Sequence, residues 1–268
     1  MSDFTFYFGA TNGQTKGALK RLDEPNVMLN YASYNGTPWD NIESLFIDSG
    51  GYSFIKGMGE YETTHQEYLD WVADTDADLF ALRDYPCEPD VLDAHDRTVG
   101  EHQRMTTNDH IELMDLYDDM GAFSQPLAVV QGRSVSEYQS HVQELKDHGV
   151  LTDYIGVGSV CGRHAVREIK PIVKAVDCAT PPGTKIHGFG IKIPSLEEPE
   201  VYNRLSSADS MAYSYKARTD SRERGIMCGF RQHALHYLEL RRDVLTIKER
   251  HNNTQNTLAN YDSVVVEP

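Results

Sequence analysis

Cysteine is scarce in this sequence of 268 residues, and its spacing excludes two kinds of protein. The four cysteines lie far apart without a Cys-x-x-Cys pair, and they are Cys87, Cys161, Cys178 and Cys228. The disulfide framework of a small secreted domain is therefore not expected, and the spacing fits a reducing cytoplasm. A structural zinc site usually needs about four ligands, most of them Cys. We therefore predict no metal site.

Long apolar runs are missing as well. No segment approaches the roughly 20 apolar residues that a membrane helix needs, so we expect no membrane partner. The first ten residues, MSDFTFYFGA, include an acid and no basic segment, which does not fit a signal peptide. We therefore expect a cytoplasmic protein whose length suits one large core.

Positive charge is in short supply, because 25 Lys and Arg stand against 41 Asp and Glu, for a net charge of −16. Two interpretations fit such an acidic surface, a protein adapted to high salt and an ordinary acidic enzyme, and we favour the first. It also argues against a nucleic-acid partner, since phosphate binding needs Lys and Arg. The stretch 212–250 weakens this argument against nucleic acid, because it holds nine Lys and Arg against five Asp and Glu.

Eight short apolar or β-rich runs recur, and helical patterns separate most of them. We predict strands at 4–9, 27–32, 44–48, 79–84, 126–131, 153–158, 185–191 and 208–213. We predict helices at 64–74, 94–120, 134–149, 162–177, 197–206 and 229–250. This alternation favours an α/β fold, a closed (β/α)8 TIM barrel forming a single domain over 1–250 before a polar tail at 251–268. A doubly wound open sheet is the alternative.

Polar residues and glycines recur where the predicted strands end, and catalytic groups of a barrel come from those ends. At the strand ends they are Asp48, Asp84, Gln131 with Gly132, and the Val157–Gly158 turn; strand seven carries His187 and then Gly188, and strand eight begins around Asp209. Any one of them could be a helix cap, a turn former or a satisfied core histidine. Their recurrence on successive strands favours a shared site, and carboxylates around one cavity suit chemistry at a sugar carbon.

The segment SLFIDSGGYSF (44–54) ends a strand in Asp48 and follows it with Gly50 and Gly51. Such glycines form a tight turn or allow a close approach to the backbone. With Tyr52 as a stacking ring, we expect this turn to be the floor of a binding site.

Six motifs together resemble the tRNA-guanine transglycosylase family. They come in that family's order from about residue 5 to 220: DSGGY (48–52), RDYP (83–86), VVQG (129–132), IGVGSVCGR (155–163), HGFG (187–190) and ADSMAYSYKAR (208–218). The GVGSVC form, the short chain and the altered zinc region are most similar to the phage-type, DpdA-like DNA-guanine transglycosylases. Those enzymes insert 7-deazaguanine derivatives into viral DNA.

The resemblance implies a role for each matching residue. Asp209 would be the nucleophile that displaces guanine and holds the nucleotide covalently. Asp48 would be the general acid and base. The base edge would be read by Asp84, by Gln131 and by backbone groups around Val157 and Gly158. Tyr52 matches the family's stacking aromatic, and His187 falls where the family often has Met.

The resemblance also implies substrates and partners. The expected reaction exchanges guanine for a 7-deazaguanine, such as the 7-cyano or 7-aminomethyl form, in DNA without a cofactor. The DNA could be viral, in a halophilic host, and related transglycosylases are often homodimers. Local basic charge makes Lys216, Arg218, Arg222 and Arg224 the expected contacts to the polynucleotide backbone. The alternatives are a tRNA substrate, a nucleosidase or glycoside hydrolase, and a barrel that binds deazaguanine without turnover.

The region after the barrel departs from the family. The family's zinc site needs Cys-x-Cys-x2-Cys and a later His, whereas this chain offers Cys228 with His233, His236 and His251 downstream. We therefore predict a barrel without the zinc subdomain. We expect His236 to pack with neighbouring leucines and His233 to be solvated.

Overall fold

The computed structural model describes residues 4–33, 38–121, 123–163 and 165–265, with side chains described as far as residue 254. Eight parallel strands close into a barrel in which each pairs with its neighbours in the chain and the first pairs with the last. The strands are β1 (Thr5–Ala10), β2 (Asn26–Asn30), β3 (Ser44–Asp48), β4 (Leu79–Ala81), β5 (Gln125–Val130), β6 (Tyr154–Val157), β7 (Lys185–Gly188) and β8 (Ser207–Ser210). The predicted (β/α)8 barrel is confirmed.

Alternation along the strands divides the apolar residues between two layers. In β3, Leu45 and Ile47 belong to the large cluster between the strands and the surrounding helices. Phe46, between them, belongs to a smaller cluster with Tyr7 and Met28. Successive side chains of a strand point to opposite faces, and both faces are covered here. One set packs against the helices, and the other fills the interior of the barrel.

The helices cover the outside of the barrel. They are α1 (Gly13–Arg21), α2 (Gly51–Met58), α3 (His65–Asp74), α4 (Pro89–Leu92), α5 (Val99–Met120), α6 (Val135–Asp147), α7 (Val166–Ala179), α8 (Ile193–Leu196), α9 (Pro199–Tyr202), α10 (Ala212–Glu223) and α11 (Phe230–Val265). Residue 164, inside the predicted helix 162–177, lies outside the described residues.

Five helices were not predicted, and these are α1, α2, α10 and the two four-residue helices α4 and α8. Helices α1 and α2 each contain two glycines, which weaken a helical pattern in the sequence. Helix α10 begins where we predicted the end of the eighth strand: β8 stops at Ser210 and α10 starts at Ala212. The predicted strand 208–213 was therefore too long at its carboxyl end.

The last helix differs most from the prediction. Helix α11 was expected to end at residue 250 but continues to Val265, so most of the predicted polar tail is helical. His251 donates from Nε2 to the Leu196 carbonyl at 3.0 Å and stacks on Tyr202 at 4.0 Å between ring centroids. Residues 266–268 lie outside the described part of the chain, and the domain boundary at 250 stays a prediction.

The region of the missing zinc motif is arranged around hydrogen bonds. Within the described residues, no group of three or more His, Cys, Asp and Glu is placed to hold a metal ion. The His236 ring pairs with Asp220 at 2.9 Å and with Glu239 at 3.0 Å. The expectation that His233 is solvated was wrong, because its side chain is buried. None of the described helices has the length and hydropathy needed to cross a bilayer.

Candidate active site

A cavity of about 660 Å³ opens at the carboxyl ends of the strands. It brings together most of the residues predicted from strand ends, and these are Asp48, Gly51, Tyr52, Asp84, Gln131, Gly158 and Asp209. Arg218 of α10 also lines it. Three carboxylates from β3, the segment after β4, and β8 therefore share one cavity.

Asp48 is the last residue of β3 and is held by two donors. Asn30, opposite it in the register of β2, donates from its side-chain amide to Oδ2 at 2.5 Å. The Gly50 N–H donates to Oδ1 at 3.2 Å. Burial raises the pKa of Asp48 to about 6; these two hydrogen bonds lower it, and the charge of Asp209 raises it further. Asp48 can therefore gain and lose a proton near neutral pH, as a general acid and base must.

Asp209, on β8, is buried and oriented through one oxygen. Its Oδ1 accepts a hydrogen bond from the Gly190 N–H at 2.7 Å and lies 3.3 Å from His187 Nε2. His187 Nδ1 lies 2.7 Å from Ser207 Oγ, so the serine hydroxyl can donate to Nδ1 while Nε2–H faces the carboxylate. Among the described residues, Oδ2 of Asp209 has no hydrogen-bond partner. That oxygen is available to a substrate.

Asp84 begins a chain of polar contacts across the cavity floor. Its Oδ2 accepts from Gln131 Nε2 at 2.5 Å, and its Oδ1 accepts from Ser49 Oγ at 3.1 Å. Burial, with the charge of Asp48 next in importance, raises the pKa of Asp84 to about 7. Both carboxyl groups can therefore be neutral or charged at physiological pH.

Ser159 links this floor to a second acid. Its Oγ lies 2.5 Å from Gln131 Oε1 and 2.8 Å from Glu88 Oε2, and it accepts from the Cys87 N–H at 2.7 Å. The single hydroxyl hydrogen can be donated to only one of the two acceptors at a time. The hydrogen-bonding groups that the Gln131 amide offers to a ligand therefore depend on whether Ser159 donates to Gln131 or to Glu88.

The two glycines of the DSGG turn serve chain packing first. Gly50 has φ +81°, a left-handed conformation, and a Cβ there would lie 2.6 Å from the Ala32 Cβ. A Cβ on Gly51 would lie 2.7 Å from the Asp84 carbonyl oxygen. Of the two glycines, Gly51 lines the cavity. The expected floor is therefore formed by Gly51 together with Asp84, against which it packs.

Tyr52 lies at the rim of the cavity with 41 % of its surface exposed. Its hydroxyl donates to Asp90 Oδ2 at 2.9 Å and accepts from Lys56 Nζ at 2.9 Å. These contacts tether the ring at the cavity mouth, where a planar ligand could stack on it.

Five predicted site residues lie behind the cavity wall, and these are Gly50, Gly132, Val157, His187 and Gly188. His187 contacts two residues that line the cavity, Asp209 through Nε2 and Phe189 through its ring, at 4.5 Å between ring centroids. A Cβ on Gly132 would lie 3.0 Å from the backbone nitrogen of Tyr138, and one on Gly188 would lie 2.5 Å from Ile191. These two glycines therefore permit close packing of the chain behind the site.

The predicted nucleic-acid contacts divide into two groups. Arg218 lines the cavity, whereas Lys216 projects from α10 and pairs with Glu239 at 2.9 Å. Arg222 and Arg224 are exposed at the far end of α10 and do not line the cavity.

Sequence reasoning missed several residues that line or shape the cavity: Asn30, Glu88, Ser159, Phe189, Gly190 and Lys192. Asn30 ends β2, so the rule applied to the other strand ends could have found it. Phe189, Gly190 and Lys192 belong to the loop after β7, whose path the sequence pattern does not reveal. Phe189 lies 5.9 Å from Phe46 between ring centroids and brings a second aromatic ring to the cavity.

A protein-family model matches most of the chain. The model described as "DpdA: DeoxyPurine in DNA protein A" matches residues 34–267, which is most of the chain. The match includes β3 to β8 and thus Asp48, Asp84 and Asp209. No curated protein gives a significant match.

Proposed function

The chain belongs to the DpdA family, and on that premise we propose that it exchanges guanine for a 7-deazaguanine base in DNA through a covalent intermediate on Asp209. One observation carries the proposal: two carboxylates with different surroundings, the half-buried Asp48 and the buried Asp209, line one cavity. Asp48 has a pKa of about 6 and is suited to proton transfer. Asp209 is fixed through Oδ1 and has Oδ2 available.

The proposed reaction has two displacements at the same sugar carbon. Asp209 Oδ2 attacks C1′ of the target deoxyguanosine, the C1′–N9 bond breaks, and its electron pair leaves with guanine. Protonated Asp48 donates a proton to the departing base. Ionised Asp48 then takes the N9 proton of the incoming base, whose N9 attacks C1′ and releases Asp209. Proton and charge balance over the cycle.

The polar floor suits recognition of a guanine-like base. Asp84 can accept from ring or exocyclic N–H groups, and the Gln131 amide offers both a donor and an acceptor. Backbone groups at Gly158 border the same space. A Cβ on Gly158 would lie 2.3 Å from the Gln131 side chain, so glycine is needed there to keep the amide in place.

A base-exchange assay tests the proposal. The protein is incubated with a labelled 7-deazaguanine base and, separately, with single-stranded DNA, duplex DNA and tRNA. We expect label in DNA, with one guanine released for each base incorporated. Label in tRNA alone would show that tRNA is the substrate and DNA is not. Guanine release without incorporation would indicate hydrolysis, and base binding without either would indicate a non-catalytic barrel.

A further inference from the structure

Beside the active cavity, at the junction of β1 and β8, lies a recess of about 330 Å³. It is lined by Asn12, Gly13, Gln14, Arg218, Cys228 and His233. Arg218 lines both the recess and the active cavity, so the two spaces are neighbours. Among the residues that the structure describes, no carboxylate lines the recess, although the chain carries 41 acidic residues.

The amino-terminal end of α1 forms one side of the recess. Asn12 caps this helix, and its side chain accepts from the N–H groups of Gln14 and Thr15 at 3.0 and 3.1 Å. Within the described part of the chain, the N–H of Gly13 has no hydrogen-bond partner. A Cβ at Gly13 would meet no atom within 4 Å, so a side chain at this position would face open space. A free N–H at the positive end of a helix dipole favours an anion.

His233 provides a second, independent indication of a ligand. Its side chain is only 3 % exposed, and Nδ1 lies 3.0 Å from the Gly229 carbonyl and 3.8 Å from Cys228 Sγ. Nε2 is buried and has no hydrogen-bond partner among the described residues. Buried polar atoms are nearly always paired, so an unpaired ring nitrogen in the wall of a recess indicates a missing partner.

We propose that this recess binds a backbone phosphate of the DNA strand, next to the target nucleotide. The phosphate oxygens would accept from the Gly13 N–H, from the Arg218 guanidinium and from Nε2–H of His233, whose Nδ1 can accept from Cys228 Sγ at 3.8 Å. The inference rests on the proposed function, since it assigns part of that function's polymer contact. It gives Arg218 a defined role and adds two groups that are neither Lys nor Arg, the Gly13 N–H and His233.

The test places a negative charge in the recess without harming the helix. In Gly13→Glu, the acid occupies the first turn of α1, where carboxylates stabilise helices, and faces open space. Gly100→Glu is the matched control, because Gly100 lies in the first turn of α5, on the other side of the barrel. Both are made with Asp209→Asn, so that DNA affinity is measured without turnover.

We expect Gly13→Glu to weaken DNA binding at least tenfold and to reduce the salt dependence by about one phosphate contact, a slope change of roughly 0.7–0.9. Gly100→Glu should bind DNA as the parent does, and all three proteins should bind the free base equally. His233→Leu should weaken DNA binding in the same direction. Equal DNA affinity of Gly13→Glu and Gly100→Glu would overturn the inference.

Neutral linkages identify the phosphate. Oligonucleotides carrying one methylphosphonate at successive linkages around the target guanosine are compared with the parent DNA. We expect one linkage at which the neutral group weakens the parent protein and removes most of the difference between Gly13→Glu and its control. If no linkage shows this coupling, the recess is not a phosphate site. A parent protein that binds no DNA would instead overturn the proposed function, and the inference with it.

Discussion

Asn30 and Asp48 stand opposite each other in the register of β2 and β3, and the Asn30 amide donates to Asp48 Oδ2 at 2.5 Å. This hydrogen bond favours the ionised carboxylate and so limits the rise in pKa that burial causes. The register of two strands thus controls the protonation of the proposed acid and base.

Asn30→Ala should move the pH profile of base exchange. Without this donor, the pKa of Asp48 rises above its value of about 6. Because protonated Asp48 assists guanine release, the alkaline limb of kcat/KM should shift to higher pH. Asn26→Ala, at the other end of β2, is the control and should leave the limb in place. An unshifted limb in Asn30→Ala would exclude Asp48 as the titrating group.

Asp209→Asn should abolish base exchange and the covalent protein–DNA adduct. The amide keeps the shape of the side chain but is a poor nucleophile, so DNA and free-base affinity should change little. Denaturing gels of the protein with DNA and base detect the adduct. An adduct in Asp209→Asn that disappears in Asp48→Asn would exchange the proposed roles.

Asp84→Asn should change how stability depends on pH. The pKa of Asp84 is raised from 3.8 to about 7, so folding favours the protonated carboxyl. Its contribution is fully present below about pH 4 and is lost as pH rises through about 7. The unfolding free energy of Asp84→Asn relative to the parent should therefore increase by up to about 4 kcal/mol between pH 4 and 8. Denaturant titrations across this range would contradict us if the difference were constant.

Gly51→Ala should damage both the fold and the site. The added methyl group would lie 2.7 Å from the Asp84 carbonyl oxygen and 2.9 Å from its Oδ1, so the segment carrying Asp84 must shift. We expect a loss of about 1–3 kcal/mol in stability and weaker base binding. Gly57→Ala in the same helix meets no atom within 4 Å and should gain about 0.5–1 kcal/mol. Thermal melts and base titrations of the two variants separate the effects.

Lys192→Ala should weaken DNA binding more than Lys216→Ala. Lys192 lines the cavity, whereas Lys216 is paired with Glu239 on the outer face of α10. DNA affinity measured at several salt concentrations should show a smaller slope for Lys192→Ala only. If Lys216→Ala had the larger effect, the DNA path would follow α10 and bypass the cavity mouth.

The barrel could be predicted because its strands carry a strong local pattern. Each predicted strand was found, since short apolar runs between polar segments reflect burial on both faces. Helices α1 and α2 each contain two glycines and α10 is rich in polar residues, so tertiary packing holds them. The end of α11 was missed for a similar reason, since its polar composition resembles a tail.

The site was predictable where strand ends determine it. Asp48 ends β3 and Asp209 is the last residue but one of β8, so their proximity follows from a fold in which the carboxyl ends of the strands meet. Lys192 and Gly190 come from a loop whose path depends on tertiary contacts, and no periodicity encodes it. The free N–H of Gly13 became visible only through the three-dimensional arrangement around α1.

Because the barrel closes, the last strand needs the first one as its pairing partner. The family match starts at residue 34, after β1 and β2, yet β1 pairs with β8, the strand that carries Asp209. A fragment starting at residue 34 would leave β3 and β8 with unpaired backbone groups along one side. Exposed strand edges of this kind recruit other chains, so such a fragment should aggregate. Expression trials should therefore retain Thr5–Asn30 even though the family match does not cover it.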